Sequence, residues 1–463
     1  MNLSALNGLF AYLPDVASPH GKPNFNAKLK WTLIVLGAFF ILANIPLYGL
    51  AQNSLDRFEY LAVILGTDFG SIISLGIGPL VMASIIVQLL VGSGILGIDT
   101  TTHEGKRAFQ GLQRIGVLAF IVFEAIVYVV MGGLQASPGF GGLVIFQLIL
   151  GGLAIMFMDQ LSSKWGLAPG TSLFILAGVA WRLFTGLFQF IGTQGENCLA
   201  DFSNTPCAGK ILVILQSVIN GAPKEALSAL ATIGVTALIF VIVVWVQNLK
   251  VEIPLSYDRL RGHSISWPLP FFYASVLPVI LVSALVANFQ LFAGLIENWV
   301  GHATFLGTFS QGQAVGGIAY WLGHSNLLEA IIRGSVISAQ FGQAAIHILF
   351  YTVFAAIFSV FWVQTSGMDE AAQARKIIAS GLQIPGFRKD ERILESVLKR
   401  YVLPLTIMGG AAIGALASIS DTFGALTSGT AILLAVMISY QLYQNIAQQH
   451  AVDMHPALAK MFS

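Results

Sequence analysis

The chemistry open to this sequence is limited first by the motifs it lacks. His103 and Glu104 are not followed by the second histidine of a zinc-protease helix, and no Gly-x-Ser-x-Gly nucleophile elbow occurs. Gly209 and Lys210 are followed by Ile211, not by the Ser or Thr with which a P-loop holds magnesium. The sequence therefore indicates neither an enzyme active site nor a cofactor, and an ATPase that acts with this chain must be a separate protein.

Polar side chains within long apolar blocks are the remaining candidates for chemistry. Ionisable residues in such blocks are costly in a membrane and mark function by default. Glu124 either lines an internal polar path or is a protonated acid buried by packing, and Arg182 lies in the middle third of its block. Asp421 falls between two blocks, where we expect a solvated turn. Asn288 is a second candidate for a polar contact between helices, and a hydrogen bond that only joins two helices is worth about 0.6 kcal/mol.

Three further features carry structural expectations. Cys198 and Cys207 lie in one polar stretch, so they form either a short-loop disulfide on an oxidising face or two free thiols. Neither cysteine has the neighbouring ligands of a metal site. Gly410 and Gly414 form a GxxxG pair, which predicts close helix packing.

The elements that position these residues are membrane spans. Of 463 residues, 56% are hydrophobic and 10% are charged, whereas soluble domains carry about 25% charge. The net charge of +1 and the absence of a dense basic stripe do not indicate nucleic-acid binding. Nine apolar blocks are long enough to cross a bilayer. A further block, 72–92, is interrupted at Gly76, Gly78 and Pro79, so we expect only its second half to form a short tenth span that starts near Ile77. The nine blocks are 31–50, 112–134, 140–158, 168–191, 226–246, 271–296, 344–363, 401–420 and 423–447.

Lys and Arg set the expected orientation. With both termini in the cytosol, most basic residues lie on the cytosolic side, as the positive-inside rule requires. Two long cytosolic loops follow, 247–270 and 364–400, and their length favours docking of a cytosolic partner over topology alone. The expected organisation is an amphipathic cytosolic segment 1–30 without a removable signal peptide, a first half 31–192, an external loop 193–225, a second half 226–447 and a cytosolic tail 448–463.

The outer stretch 56–74 has a distinct pattern. A short apolar helix, 58–65, precedes small and polar residues. It is too short to span and too apolar to lie in water, so we expect it to fold back into the protein, the alternative being an interfacial helix.

Ten short motifs, in order along nearly the whole chain, resemble the SecY family, the central subunit of the protein-conducting channel, in its archaeal form. Read together, they are shared with no other family that we recognise. The motifs are LPDV at 13–16, GIGP at 76–79, QLLVGS at 88–93, FQGLQ at 109–113, VEIPL at 251–255, RLRG at 259–262, LPVIL at 277–281, GFRK at 386–389, GT at 429–430 and HPA at 455–457.

The resemblance implies an all-α polytopic membrane protein of ten transmembrane helices, with two inverted pseudo-symmetric halves around an hourglass pore. It implies a waist ring at Ile77, Val81, Thr171, Ile175, Ile280 and Leu434. It also implies a re-entrant plug that includes Phe58, Leu61, Ile64, Leu65 and Phe69. An aliphatic ring blocks ions by dewetting without gripping a passing chain, and Thr171 departs from that pattern.

The resemblance also assigns roles at the gate and in the cytosolic loops. Glu124 and Asn288 match polar positions beside a lateral gate, through which membrane segments leave into lipid. Basic positions that dock the translating ribosome are matched by Arg259, Arg261, Arg388 and Lys389. The resemblance implies contact with ribosomal RNA only as part of the ribosome. Other implied partners are SecE-like and Sec-beta-like single-span subunits, signal sequences, nascent polypeptides and the lipid of the cell membrane. A secondary transporter is the main alternative function, and an intramembrane enzyme ranks below it.

Overall fold

The structure is a computed structural model that describes residues 14–19, 21, 23–53, 69–92, 95–96, 98, 103–130, 132–192, 196–199, 202, 205–257, 264–274, 277–300, 302–310, 313–379, 382–383 and 390–454. Within these residues, 8 helices are long and apolar enough to cross a membrane. Two more, Gly78–Gly92 and Leu277–Val300, occupy the positions of the other predicted spans. The protein is thus a mainly helical, multi-span membrane protein, as predicted.

Contacts divide the chain into two compact units, Met1–Trp181 with Leu434–Ser463 and Arg182–Leu433. Within the described residues, five helices begin in the first unit, and two short strands pair antiparallel there. The helices are α1 (Phe25–Ala43), α2 (Gly78–Gly92), α3 (His103–Val130), α4 (Gly141–Trp165) and α5 (Gly170–Phe188), which continues into the second unit; the strands are β1 (Leu50–Asn53) and β2 (Leu134–Ala136).

In the described part of the second unit nine helices begin, and the last of them continues into the first unit. Its strands form a three-stranded sheet of order β4-β3-β7 and a β5-β6 hairpin. The helices are α6 (Lys210–Ile219), α7 (Pro223–Gln247), α8 (Leu277–Val300), α9 (Gly317–Leu322), α10 (Leu327–Arg333), α11 (Ser338–Thr365), α12 (Glu370–Ala379), α13 (Glu391–Thr422) and α14 (Gly429–Met454); the strands are β3 (Lys250–Tyr257), β4 (Ser264–Pro270), β5 (Thr308–Ser310), β6 (Gln313–Gly316) and β7 (Leu382–Gln383).

Several helix ends differ from the predicted block ends for identifiable reasons. The first block was predicted to run to Leu50, but α1 ends at Ala43. Pro46 disfavours helical geometry in the residue before it, and Leu50 starts β1. In contrast, α13 begins ten residues before its apolar block because the preceding Glu, Leu, Lys and Arg residues are good helix formers in water. Apolar length predicts the membrane part of a helix, not its extension outside.

The GxxxG pair packs as the sequence predicts. A Cβ on Gly414 would lie 2.5 Å from the carbonyl oxygen of Tyr351, and one on Gly410 would overlap the Ser359 hydroxyl. Both contacts are to α11, so the two glycines let α11 and α13 approach closely.

The loop predicted to be external contains a disulfide between Cys198 and Cys207, whose Cα atoms are 5.3 Å apart. This settles the choice left open by the sequence. Gln216 on α6 supports the same loop, because its Nε2 donates to the carbonyl oxygens of Phe202 and Thr205, each at 2.8 Å.

Asp421 does not occupy the solvated turn expected between the last two spans. It lies in the last turn of α13, and its Oδ1 accepts a hydrogen bond of 2.6 Å from the backbone N–H of Gly429 at the start of α14. A carboxylate at a helix N-terminus accepts a hydrogen bond from a free backbone amide and interacts favourably with the positive end of the helix dipole. The residue therefore has a capping role.

The extended segment 14–19 is held against α3 and the last turns of α4. Asp15 pairs with Arg114 at 2.9 Å and with Lys164 at 2.6 Å. Val16 N–H donates to Gln160 Oε1 at 3.2 Å, and Trp165 Nε1 donates to the Ala17 carbonyl at 2.9 Å. Residues 1–13, which include most of the predicted amphipathic segment, lie outside the described residues.

Candidate pore ring, plug and docking surface

The first two predicted ring residues lie where a buried turn enters α2. Ile77 is 1% exposed and Val81 is half-buried. The Val81 N–H donates to the Ile77 carbonyl at 3.0 Å, so the two side chains are one helical turn apart. They share a helix face, as the spacing predicts.

The next pair lies in the first turns of α5. Ile175 is 6% exposed, and Thr171 is half-buried. The Thr171 N–H donates to Asp159 Oδ1 at 2.7 Å, and a Cβ on Gly170 would lie 2.5 Å from the Asp159 Cα. The carboxylate thus caps α5 from α4 and fixes the turn that carries Thr171.

Asp159 is a positioning residue that the sequence analysis missed. It follows the predicted block 140–158 by one residue and was not counted among the polar residues of the spans. In the structure α4 continues to Trp165, so Asp159 is helical. The available signal was an acidic residue shortly before a Gly-Thr-Ser start of the next apolar block.

The last two ring residues lie in α8 and α14. Ile280, in the first turn of α8, is half-buried, and Leu434 is 3% exposed. Near Ile280, the hydroxyls of Ser283 and Thr430 are 3.1 Å apart, which ties the start of α8 to the start of α14. Ile77, Ile175 and Leu434 are thus almost closed to water.

Phe69 is the one predicted plug residue within the described part of the chain. It is 7% exposed, and its ring centroid lies 6.4 Å from that of Tyr128 on α3 in an edge-on arrangement. The other four plug residues, Phe58, Leu61, Ile64 and Leu65, lie outside the described residues.

The predicted gate residues are only partly described. Glu124 is half-buried on α3, one helical turn before Tyr128, and therefore on the face that Phe69 contacts. Asn288 lies in the middle of α8, but its side chain is outside the described part of the structure. Arg182, the third polar residue, is half-buried in α5.

The two predicted docking loops fold together on one sheet. Strand β3 pairs with β4 from Lys250 opposite Pro270 to Ser256 opposite Ser264. On its other edge β3 pairs with β7, with Tyr257 opposite Leu382. Arg259 and Arg261 follow the end of β3, and Arg388 and Lys389 follow β7; all four basic residues lie outside the described residues.

A hydrophobic core lies beneath this sheet, and we call it the loop core. It combines residues of both loops with the first turns of α13, and the Tyr273 hydroxyl donates to the Met368 carbonyl at 2.6 Å. The buried members are Ile253, Leu269, Tyr273, Ala274, Val363, Ala374, Ile377, Leu394, Leu398, Val402 and Leu405. The cytosolic loops of the sequence prediction are therefore one folded element.

Metal chemistry has no support in the described side chains. Among them, no three His, Cys, Asp or Glu residues converge as a metal site requires.

Comparisons with known proteins agree with this geometry. The SecY family model matches residues 71–443, and the model of the plug domain of Sec61p matches residues 38–70. The protein translocase subunit SecY of Methanothermobacter thermautotrophicus is 42% identical, over 97% of this chain and 96% of that protein. The same subunit of Methanocaldococcus jannaschii is 36% identical over 97% and 98%.

Solved structures show the same fold. A protein-conducting channel superposes with a TM-score of 0.80 at 35% identity, covering 98% of this chain and 99% of that one. Sec61 in a canine ribosome–channel complex from the endoplasmic reticulum gives 0.78 at 34% identity, with coverage of 98% and 99%. The SecY family model matches most of this chain, and the relatives align with it almost from end to end. This chain therefore belongs to the SecY family.

Proposed function

We propose that this chain forms the central pore of a protein translocase, which moves secretory polypeptides across the membrane and releases transmembrane segments sideways into lipid. The observation that carries the proposal is the continuous match of residues 38–443 to the plug and SecY models. A secondary transporter needs converging polar groups at the midplane, whereas the proposed pore ring of this chain is mostly aliphatic. The relatives are translocase subunits, and the solved neighbours are protein-conducting channels, which supports the translocon.

The proposed path runs through the ring of Ile77, Val81, Thr171, Ile175, Ile280 and Leu434. Support comes from the burial of three aliphatic members, because an apolar constriction excludes water and ions at rest. A polypeptide passing such a ring meets no hydrogen-bonding group except Thr171. The pore therefore resists leakage without retaining its substrate, and the chain itself acts as a channel and catalyses no reaction.

The proposed gate uses Glu124 and Asn288, which hold the closed state by polar contact until a signal sequence intercalates. Glu124 is already within one turn of Tyr128, against which the plug residue Phe69 packs. This neighbourhood supports a link between the gate residue Glu124 and the plug residue Phe69.

The proposed cytosolic partner is the translating ribosome, bound through Arg259, Arg261, Arg388 and Lys389 with both termini on the same side. Support comes from the Sec61 neighbour in a ribosome–channel complex and from the sheet that joins both loops. Basic side chains suit ribosomal RNA phosphates, and such contacts weaken with salt. The stretch after Arg261 is less basic than in many SecY relatives, which favours modest affinity. Single-span subunits like SecE and Sec-beta complete the proposed assembly.

The test is reconstitution of the chain with such partner subunits in liposomes. Ribosomes that translate a secretory precursor should deliver it to a protease-protected compartment only when the precursor carries its signal. Liposomes without this chain are the control. A transporter would instead leave the precursor fully accessible to protease while moving a small solute.

A further inference from the structure

The segment between the matched plug region and α2 is a folded element in its own right. Residues 69–77 form successive turns in which Ser74 N–H donates to Ser71 O at 3.1 Å and Gly76 N–H donates to Ile73 O at 2.8 Å. The side chains of Ile73 and Leu75 are fully buried. Because these hydrogen bonds join successive turns of the backbone, a displacement of one residue also shifts the residues that follow it.

This segment is also fastened to the chain that follows α1. Leu47 N–H donates to the Gly70 carbonyl at 2.8 Å, and Ile72 N–H donates to the Ile45 carbonyl at 3.0 Å. Within the segment, the Ser74 hydroxyl accepts from Gly70 N–H at 2.9 Å and donates to the Ser71 carbonyl at 2.5 Å.

Two adjacent glycines of α4 form the surface on which the segment rests. A Cβ on Gly151 would overlap the carbonyl oxygen of Ile72 and lie 2.8 Å from its carbonyl carbon. A Cβ on Gly152 would lie 2.8 Å from Ile121 Cγ2 and 3.2 Å from Leu75 Cδ1. The first contact is to backbone, which cannot rotate away, so only glycine permits this approach.

We propose that Gly151 and Gly152 form a seat for residues 70–77 that positions Ile77 in the resting seal. Ile77 follows Ile72 by five residues along the hydrogen-bonded turns, so a side chain at position 151 displaces both. The two glycines are positioning residues, since their role acts through Ile72 and Ile77. This inference rests on the proposed channel function and adds the part of α4 that keeps the ring closed.

The test compares resting ion conductance of reconstituted channels that carry Gly151→Leu or Gly142→Leu. Gly142 is the matched control, because it lies on the same helix and a Cβ there meets no described atom within 4 Å. We expect Gly151→Leu to raise the leak by about tenfold, which corresponds to about 1.4 kcal/mol in the sealing equilibrium. Gly142→Leu should leave it unchanged. A wild-type leak in a Gly151→Leu channel that still translocates precursor overturns the seat.

Two smaller changes keep the test decisive if Gly151→Leu does not fold. Gly151→Ala adds one methyl group, and Ser74→Ala removes two hydrogen bonds without adding volume. Both should raise the leak in the same direction, and wild-type conductance in both overturns the proposal.

Rescue separates positioning from general damage. Pro46 and Ser71 oppose one another in an antiparallel bridge, where Cβ atoms lie about 5 Å apart, close enough for a disulfide after a small shift. Oxidised Pro46→Cys with Ser71→Cys should return the Ser74→Ala leak towards wild type, because the crosslink replaces the lost hydrogen bonds and leaves the glycines of α4 unchanged. Failure of this rescue contradicts the seat. Wild-type channels that move no precursor would refute the translocation function instead, while the leak comparison still reports on the seat.

Discussion

At the scale of single residues, Asn288 carries the sharpest prediction about the gate. Asn288→Leu should weaken the polar contact that we propose holds the gate closed, so precursors with defective signals should be translocated more readily. The size of the effect should match one interhelical hydrogen bond, about 0.6 kcal/mol or roughly threefold. Asn288→Gln, which keeps the amide, is the control. Unchanged signal stringency together with unchanged gate crosslinking would make the gate role of Asn288 wrong.

Asp15 gives a prediction with a pH dependence. Partial burial by itself raises the pKa of its carboxyl, but the hydrogen bond from Lys164 and the charge of Arg114 outweigh burial and hold the pKa below its ordinary value. The ion pairs therefore stabilise the segment 14–19 fully above the unfolded pKa of about 3.9. This contribution is lost as the pH falls through the lowered folded pKa.

We expect Asp15→Asn to reproduce the acid effect at neutral pH. Amide hydrogen exchange of residues 14–19 should become faster in the variant, because Arg114 and Lys164 lose their shared partner. Glu196→Gln, at an exposed position in the outer loop, is the control. Equal exchange in Asp15→Asn and wild type would show that the hydrogen bonds from Trp165 and to Gln160 suffice to hold the segment.

At the scale of elements, the loop core joins the two loops that we propose to be cytosolic into one folded element. Tyr273→Phe removes the hydroxyl that donates to the Met368 carbonyl and leaves that carbonyl without its bond. We expect a loss of about 1 kcal/mol in local stability. Amide exchange should therefore rise by roughly fivefold in α12, on the far loop, and not only near position 273.

The control for this change is Tyr443→Phe, since Tyr443 is exposed on α14 and outside the loop core. Faster exchange confined to residues 271–274 would mean that the two loops move independently. In that case the shared sheet would not support joint docking.

Most of the membrane-spanning helices could be predicted from the sequence, and each exception has an identifiable physical cause. Apolar length predicted the spans, and the GIGP interruption placed the start of the short span at Ile77, one residue before α2 begins. The pairing of Tyr257 with Leu382 could not be predicted, because it joins loops more than a hundred residues apart through a tertiary core. Asp159 was missed because its role depends on where α4 ends relative to α5.

The residues of the candidate pore ring could be predicted from the sequence only in part. No periodicity or composition distinguishes the six ring positions from other aliphatic residues of the spans, so only the motif match selected them. The burial of three of these residues is consistent with the motif match, but ordinary helix packing would also bury aliphatic side chains. Nothing in the sequence singles out Gly151 and Gly152, and only the close approach of Ile72 in the structure indicates a role for them.

At the scale of the whole molecule, charge reversal tests the proposed docking surface. Arg259→Glu combined with Arg388→Glu should weaken ribosome binding by about tenfold or more at low salt, because two cationic contacts to phosphates become repulsive. The slope of affinity against salt concentration should also fall. Lys224→Glu, a reversal placed on the opposite side by the proposed topology, is the matched control. Unaltered binding by the double variant at low salt contradicts docking through these loops.

The most direct measurement of the central claim places a photocrosslinking residue at Ile280 and stalls ribosomes on a secretory precursor of defined lengths. The account predicts an adduct between the channel and the nascent chain that requires a functional signal and appears only over a window of chain lengths. The absence of any adduct, in channels that do bind the ribosome, would contradict the assignment of Ile280 to the polypeptide path.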